Sequence, residues 1–333
     1  MKFDYVIGNP PYQEDRKGDS TTAQPVYHNF MEAAYSVSSV VELITPARFL
    51  FNAGYTPKPW NQKMLNDEHI KVLEYKSDAK NVFPNTDIKG GVAITYRDKN
   101  KQYEPIRVFT IFDELNDILR KVNPYSKKSN MSNICFVASK FDIKSLAIDY
   151  PEFRNHERRM SSNVLQFNFF HDVKSKNDIQ IYGVLKGKRT KKYINSKYVD
   201  KRDNNISKYK IVTPKADGNG AFGSTLTQPE ILKPESGFTH SFLGIGGFDE
   251  LNIAESALKY IKTKFARTLL SILKITQDLN AEKWKYVPLQ DFTDSSDIDW
   301  SQSISGIDKQ LYKKYGLSEK EINFIETHVK EME

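Results

Sequence analysis

The hydrophobic positions of the first 122 residues follow two alternating spacings. Segments of strand length that are rich in apolar residues lie at Tyr5–Ile7, Val40–Ile44, Ile70–Tyr75 and Gly91–Tyr96, and Ile106–Val108 is a candidate fifth strand. Helical spacing of apolar residues predicts helices at Thr22–Ser36, Trp60–Asn66 and Ile111–Val122. Alternating strands and helices predict an α/β fold with a doubly wound sheet.

The pattern changes after the polar segment that begins at Pro124, which we interpret as a hinge. Residues 130–300 lack regular alternation and predict a mixed α+β domain with short strands. Asn252–Ile275 has the apolar stripe of one long amphipathic helix. Ser318 and Glu321 form a capping-box pattern before a final helix. We therefore expect domains at 1–122 and 123–300, and a C-terminal helical extension at 301–333.

Composition narrows the function classes. The chain has 333 residues, a formal net charge of +7 and a single cysteine, Cys135. The positive charge is compatible with a polyanionic partner. One cysteine excludes an internal disulfide framework and a cysteine-rich zinc site, and the six scattered histidines show no metal-ligand spacing. No apolar run approaches membrane-spanning length, so we expect a cytoplasmic protein with no membrane partner.

The most specific chemistry lies directly after the first predicted strand, at Gly8-Asn9-Pro10-Pro11-Tyr12. The two prolines fix the backbone, and Asn9 is driven towards an extended conformation because Pro10 follows it. The result is a rigid turn at the carboxyl end of a strand, where open α/β sheets bind ligands. Asn9 offers an amide acceptor, Pro10 a carbonyl and Tyr12 an aromatic face.

This strand with its Asn-Pro-Pro-Tyr turn resembles the signature of adenine-N6 DNA methyltransferases of bacterial restriction-modification systems. The resemblance implies that Asn9, Pro10, Pro11 and Tyr12 are catalytic, with Asn9 and the Pro10 carbonyl accepting hydrogen bonds from the adenine amino group. It also implies that Tyr12 stacks on an adenine flipped out of double-stranded DNA. Val82-Phe83-Pro84 resembles a later motif of the family, so Phe83 is expected to stack on the opposite face.

The resemblance extends to the organisation of the chain. Residues 1–122 are expected to be the C-terminal part of a Rossmann-like methyltransferase sheet, and residues 123–300 a target-recognition domain that binds DNA. A basic and aromatic run in the second domain can neutralise phosphates and lay aromatic rings against sugars or bases. A solvated lysine-rich face is the alternative reading. The predicted DNA-binding residues are Lys186, Lys188, Arg189, Lys191, Lys192, Tyr193, Lys197 and Tyr198.

The methyl donor implied by the resemblance is S-adenosylmethionine. In the family its glycine-rich turn precedes the Asn-Pro-Pro-Tyr motif, whereas only eight residues precede Asn9 here. We therefore expect a partner polypeptide to supply the cofactor-binding half, because the first strand would otherwise leave an open edge with an apolar surface beside it. A circularly permuted arrangement remains an alternative, with Phe242–Gly247 as its candidate glycine-rich turn.

Two other functions stay open from the sequence. The chain could be a DNA-binding specificity module, or an inactive truncated methyltransferase, without catalysis of its own. Glu74-Tyr75-Lys76 is a nuclease-like tripeptide, but such tripeptides are common on ordinary strands and no upstream aspartate supports this one. Adenine methylation is the leading hypothesis.

Overall fold

In the computed structural model, the chain forms two compact units, Met1–Asn116 and Asp117–Glu333. The residues described are 2–14, 23–52, 54–84, 88, 90–110, 112–200, 202, 204–217, 222–274 and 277–332. Thr22, Ile111 and Ile275, which the sequence places in predicted helices, lie outside these residues. Below, the two units are called the N-terminal unit and the C-terminal unit.

The N-terminal unit contains a four-stranded sheet with strand order β1-β2-β4-β3. Strand β1 is parallel to β2, whereas β4 is antiparallel to both β2 and β3. The strands are β1 (Phe3–Gly8), β2 (Ser38–Pro46), β3 (Ile70–Lys76) and β4 (Val92–Asp98), and the helices are α1 (Tyr27–Val37), α2 (Lys58–Leu65) and the 3₁₀ helix Ala47–Phe51. A mixed α/β arrangement is confirmed. Ile106–Val108 is not a strand, and Arg107 there has a left-handed φ of 52°.

One face of this sheet carries the core of the unit. Val41, Leu43 and Ala93 pack there against Met31 of α1 and Phe49 of the 3₁₀ helix. The helical spacing in the sequence predicts a stripe of Val26, Phe30, Ala33 and Ala34, whereas the buried residues of α1 are Tyr27, Met31 and Ala34, so only Ala34 is shared. The helix begins later than predicted, and Val26 precedes its first turn, which shifts the face that meets the sheet.

Strand β1 is far more exposed than its apolar sequence suggests. Phe3, Tyr5 and Ile7 are 49%, 66% and 76% exposed, whereas an apolar run of this kind usually indicates a buried strand. Val6, on the opposite side, packs against the core cluster. Among the described residues β1 pairs only with β2, at the end of the strand order. In this part of the chain β1 is therefore an edge strand with an exposed apolar row.

The C-terminal unit is mixed α+β with mainly antiparallel strands. One sheet has order β10-β6-β7 and a second has order β5-β11-β8-β9. Its strands are β5 (Cys135–Phe136), β6 (Asp178–Leu185), β7 (Lys188–Asn195), β8 (Tyr209–Pro214), β9 (Glu230–Leu232), β10 (Ser236–Phe238) and β11 (Phe242–Phe248). The helices are α3 (Asp113–Lys128), which begins before the division between the units, α4 (Ile143–Asp149), α5 (Leu251–Lys262), α6 (Lys264–Ser271), α7 (Ile304–Lys314) and α8 (Glu319–His328).

Two helix boundaries correct the sequence analysis. Helix α3 continues through Pro124 to Lys128, so the segment read as a polar hinge is helical. The predicted helix Asn252–Ile275 is two helices, because Thr263 leaves the helical conformation at ψ 148°. The Thr263 hydroxyl accepts the Ala266 N–H, and Asp308 accepts the N–H groups of Lys264 and Phe265. These acceptors satisfy the new helix N-terminus, which makes the break stable.

The capping box before α8 is confirmed, with reciprocal hydrogen bonds between Ser318 and Glu321. The Glu321 carboxylate also accepts from Lys121 Nζ at 2.6 Å and so ties α8 to α3. Within the described ranges, no helix is long and apolar enough to cross a bilayer.

Candidate functional site

The predicted catalytic turn lies at the edge of the N-terminal sheet where several strands end. Gly8 pairs with Leu43 near the carboxyl end of β2, and Pro46 of β2 and Lys76 of β3 both lie opposite Val92 of β4. Asn9 follows β1 directly. The carboxyl ends of three strands therefore meet the start of β4 at the edge where open sheets bind ligands.

Tyr12 and Phe83 are brought together although 70 residues separate them in the sequence. Their ring centroids are 6.3 Å apart with an interplanar angle of 71°. Two parallel rings that enclose a flat base need a separation of about 7 Å, twice a carbon–carbon contact distance. One ring must therefore turn before a base can lie between them. The geometry provides an aromatic pair beside Asn9, in an edge-to-face arrangement.

The ring of Tyr12 is anchored while its hydroxyl remains unused. Tyr12 packs against the core cluster of the N-terminal unit, and its backbone carbonyl accepts the Val26 N–H at 3.1 Å. Its buried hydroxyl makes no hydrogen bond with a described residue. Burial raises the pKa of the Tyr12 phenol to about 12, so the group stays neutral at physiological pH. Tyr12 therefore offers a ring face rather than an acid or a base.

The polar members of the turn are presented to solvent. Asn9 and Pro11 are exposed and Pro10 is half-buried. The chain after the turn is held in place because Glu14 N–H donates to the Gln24 carbonyl at 2.9 Å and Gln13 forms a bridge with Pro25. An exposed amide on an anchored turn can accept a hydrogen bond from an incoming amino group.

Gly91 shapes the sheet edge at which the Asn-Pro-Pro-Tyr turn lies, and this role is visible only in the structure. It has a left-handed φ of 74°, and a Cβ there would lie 2.2 Å from the Lys76 carbonyl oxygen. Its own carbonyl accepts the Ala47 N–H at 3.0 Å, which joins the starts of β4 and the 3₁₀ helix. Glycine is needed because the backbone of β3 passes so close. In the sequence Gly91 is only the first residue of a predicted strand, and the contact that requires glycine is not visible there.

The predicted basic run lies mainly on the hairpin β6–β7 of the C-terminal unit. Lys186 and Gly187 form its turn with φ values of 50° and 76°, as a type I′ turn requires. Lys186, Lys188 and Lys191 are exposed, and Lys191 lies over the Tyr182 ring. Tyr193 is partly buried and stacks on His171. These residues stay predicted DNA contacts.

Other cations of the run are paired with carboxylates. Arg189 contacts Glu230 at 2.6 Å, Lys192 contacts Asp172 at 2.7 Å and Lys197 contacts Asp149 at 2.7 Å. Tyr198 is only 7% exposed, and its hydroxyl donates to Asp149 at 2.7 Å. The Tyr198 ring belongs to a hydrophobic core cluster, and its contact with DNA stays a prediction.

The candidate glycine-rich cofactor turn Phe242–Gly247 does not fit S-adenosylmethionine. It forms β11, which is antiparallel to β5 and β8, whereas the cofactor turn of this class joins a parallel strand to a helix. Its glycines have packing roles, since a Cβ on Gly244 would meet the rings of Phe136 and Phe238 at 2.6 Å. The permuted arrangement is therefore not supported.

The nuclease-like tripeptide also has an ordinary structural explanation. Glu74 and Lys76 form an ion pair at 2.7 Å on β3. Tyr75 between them joins an aromatic cluster with Phe51 and Phe109, with each pair of ring centroids 5.5–5.6 Å apart. Within the part of the chain that the structure describes, no group of three or more His, Cys, Asp or Glu side chains could hold a metal ion.

Comparison with known proteins adds independent support at the same segment. Residues 1–83, which include the Asn-Pro-Pro-Tyr turn and Phe83, match the family model of the Eco57I restriction-modification methylase. An uncharacterized adenine-specific methylase of Mycoplasma pneumoniae is 30% identical over 105 residues, which are 31% of this chain and 25% of the relative. The chain thus spans about a quarter of that relative's length. The resemblance drawn from Asn9–Tyr12 is confirmed: residues 1–83 are similar to a restriction-modification methylase, and a 105-residue stretch of the chain is similar to an adenine-specific methylase.

Proposed function

We propose that this chain carries the adenine-binding and DNA-binding parts of an S-adenosylmethionine-dependent DNA adenine-N6 methyltransferase. The observation that carries the proposal is the aromatic pair Tyr12–Phe83, 6.3 Å apart, beside the exposed Asn9 at the carboxyl end of β1. A flipped adenine would stack on Tyr12, with Phe83 turned to cover its second face. The match of residues 1–83 to a methylase family supports this assignment.

In this proposal Asn9 and Pro10 orient the nucleophile. The lone pair of an aromatic amine is delocalised into its ring, so the adenine amino group is a poor nucleophile. Hydrogen bonds from that group to the Asn9 side-chain oxygen and the Pro10 carbonyl favour tetrahedral geometry at nitrogen. Pro11 keeps the turn rigid because its ring fixes the backbone.

The other parts of the proposal concern domain roles and partners. The N-terminal unit would be part of a Rossmann-like methyltransferase sheet, and the region from about residue 123 would bind double-stranded DNA. We assign donor binding to another polypeptide segment, because the candidate turn Phe242–Gly247 belongs to an antiparallel strand and does not fit S-adenosylmethionine. The exposed edge of β1 and the apolar row Phe3, Tyr5 and Ile7 are suited to pair with a strand of that segment.

Substitution of Asn9 tests the catalytic part. Asn9→Ala in the chromosomal copy of the gene keeps every natural partner present, and Asn29→Ala, an exposed asparagine on α1, is the matched control. We expect Asn9→Ala to lower label transfer from S-adenosylmethionine to DNA by about 10²–10³-fold, the usual effect of losing one transition-state hydrogen-bonding group. DNA binding should stay within about twofold. Unchanged transfer would contradict the catalytic role and favour a DNA-binding specificity module.

Calorimetry with the purified chain tests whether another polypeptide segment binds S-adenosylmethionine. We expect no heat of S-adenosylmethionine binding from the chain alone. Binding should appear when the partner segment is added, and Ile7→Lys should weaken association with that segment because it places a charge on the apolar row. Tight donor binding by the isolated chain would contradict this assignment.

A further inference from the structure

Two basic side chains that no sequence motif links meet in the C-terminal unit, and the charge of a third, Arg159, acts on both. Lys215 follows β8, His240 precedes β11, and Arg159 lies in the segment that bridges to Lys140. Lys215 Nζ is 3.1 Å from Nδ1 and 3.4 Å from Nε2 of the His240 ring. We call Arg159, Lys215 and His240 the basic triad.

Backbone hydrogen bonds build the triad from three separate segments. Lys215 N–H donates to the Ser241 carbonyl at 3.0 Å, and His240 N–H donates to the Met160 carbonyl at 2.8 Å. Met160 N–H in turn donates to the Ser139 carbonyl at 2.9 Å. The three side chains therefore sit on anchored backbone rather than on independent loops.

The triad is incompletely neutralised by acidic groups. Arg159 pairs with Glu157 at 2.8 Å, yet its buried Nε–H has no hydrogen-bond partner among the described residues. Lys215 makes no ion pair with any carboxylate in the described ranges, although the charge of Asp278 acts on it. Burial, together with the charge of Arg159, lowers the pKa of Lys215.

His240 responds to the same charges. Burial lowers the pKa of His240, the charges of Lys215 and Arg159 lower it further, and Glu157 opposes them. A neutral His240 ring can accept a hydrogen bond from the Lys215 ammonium group, which has two more N–H donors to offer. An anion that enters would be met by cationic donors from Lys215 and Arg159, and it would favour protonation of His240.

We propose that Arg159, Lys215 and His240 form a binding site for a phosphate of the DNA backbone. The proposal rests on the proposed function, because that function supplies DNA as the substrate. Arginine and lysine are the residues that bind phosphate oxygens through charge-assisted hydrogen bonds. The triad differs from the paired cations of β7, because Lys215 makes no ion pair and the Arg159 Nε–H makes no hydrogen bond among the described residues.

The salt dependence of DNA binding tests the site. Equilibrium binding of a fluorescent duplex by the full chain is measured from low to high salt for Lys215→Gln and Arg159→Gln. Each variant should lower the slope of log affinity against log salt by about 0.9, the value for one lost phosphate contact. Lys215→Arg should keep the slope, and Lys309→Gln, an exposed lysine on α7, should leave it unchanged. Circular dichroism confirms that each variant is folded.

NMR titration of His240 gives an independent readout. Duplex DNA should raise the pKa of His240, and the DNA affinity of the unsubstituted chain should therefore rise as the pH falls through that value. Unchanged salt slopes for both Gln variants, or no DNA binding by the chain, would overturn the site. A response of His240 to inorganic phosphate without one to DNA would contradict the DNA assignment. Lowered slopes in a protein that methylates no DNA would leave the site standing and contradict only the proposed function.

Discussion

The aromatic pair of the N-terminal unit and the basic hairpin of the C-terminal unit were both predicted as parts of a DNA-modifying site. They differ in how many of their polar groups are already paired within the protein. Tyr12 and Phe83 meet at a sheet edge beside an exposed Asn9. On the hairpin, Arg189 and Lys192 already contact carboxylates. A motif that specifies turn geometry constrains the position of its side chains, whereas a run of charges says nothing about their partners.

The largest contrast is expected from two glycines, one in each region. Gly91 and Gly187 have similar left-handed φ values of 74° and 76°, but only Gly91 has backbone in the way of a Cβ. Gly187→Ala should cost about 1–2 kcal/mol of stability, the usual strain of that conformation. Gly91→Ala should cost roughly 3 kcal/mol or more, because its Cβ would collide with the Lys76 carbonyl.

Thermal unfolding of both glycine variants measures this difference. Equal destabilisation would mean that the close approach of β3 to Gly91 is not a feature of the folded protein. The contrast also bears on activity, since only Gly91→Ala should disturb the sheet edge that carries Asn9.

The second comparison separates the Tyr12 ring from its hydroxyl. Tyr12→Ala should lower methylation by about 10–100-fold, because stacking of a base on an aromatic ring is worth about 1–3 kcal/mol. Tyr12→Phe should keep activity within about threefold, since the hydroxyl makes no hydrogen bond with a described residue. Steady-state label transfer to DNA measures both variants. A large loss in Tyr12→Phe would show that the hydroxyl has a role absent from this account.

The smallest effects should come from the basic hairpin. Arg189→Gln removes the contact with Glu230 and hydrogen bonds to the Gln228 and Thr227 carbonyls, and should cost about 1–2 kcal/mol of stability. Lys188→Gln alters an exposed side chain and should change stability by less than about 0.5 kcal/mol. Urea unfolding measures the pair. Equal stability losses would contradict the division between paired and available cations.

Strands β2, β3 and β4 were predictable from the sequence because each is a short segment rich in apolar residues. The exposure of β1 could not be predicted from its own sequence. An apolar pattern indicates a buried strand, but it does not show whether one or two strands pair with it. The break at Thr263 was missed because the acceptors that stabilise it come from Asp308, far along the chain.

Part of the candidate site could likewise be predicted from the sequence, and part could not. The Asn9–Tyr12 turn is local, so its residues can be recognised in one stretch of sequence, and the order of motifs was enough to link Tyr12 with Phe83. The basic triad could not be found from the sequence, since Arg159, Lys215 and His240 belong to three segments that hydrogen bonds of the folded chain bring together. The ion pair between Lys197 and Asp149 could not be predicted either, because the two residues belong to different segments of the chain.

The central claim is that the Asn9–Tyr12 turn holds an adenine for methylation at its amino group. The most direct measurement is mass spectrometry of nucleosides from DNA exposed to the chain in its own cell, compared with cells that carry Asn9→Ala or the control Asn29→Ala. The account predicts N6-methyldeoxyadenosine in the unsubstituted and control cells and its loss in Asn9→Ala cells. Methylated cytosine as the only product that depends on Asn9, or equal N6-methyldeoxyadenosine in all three, would contradict it.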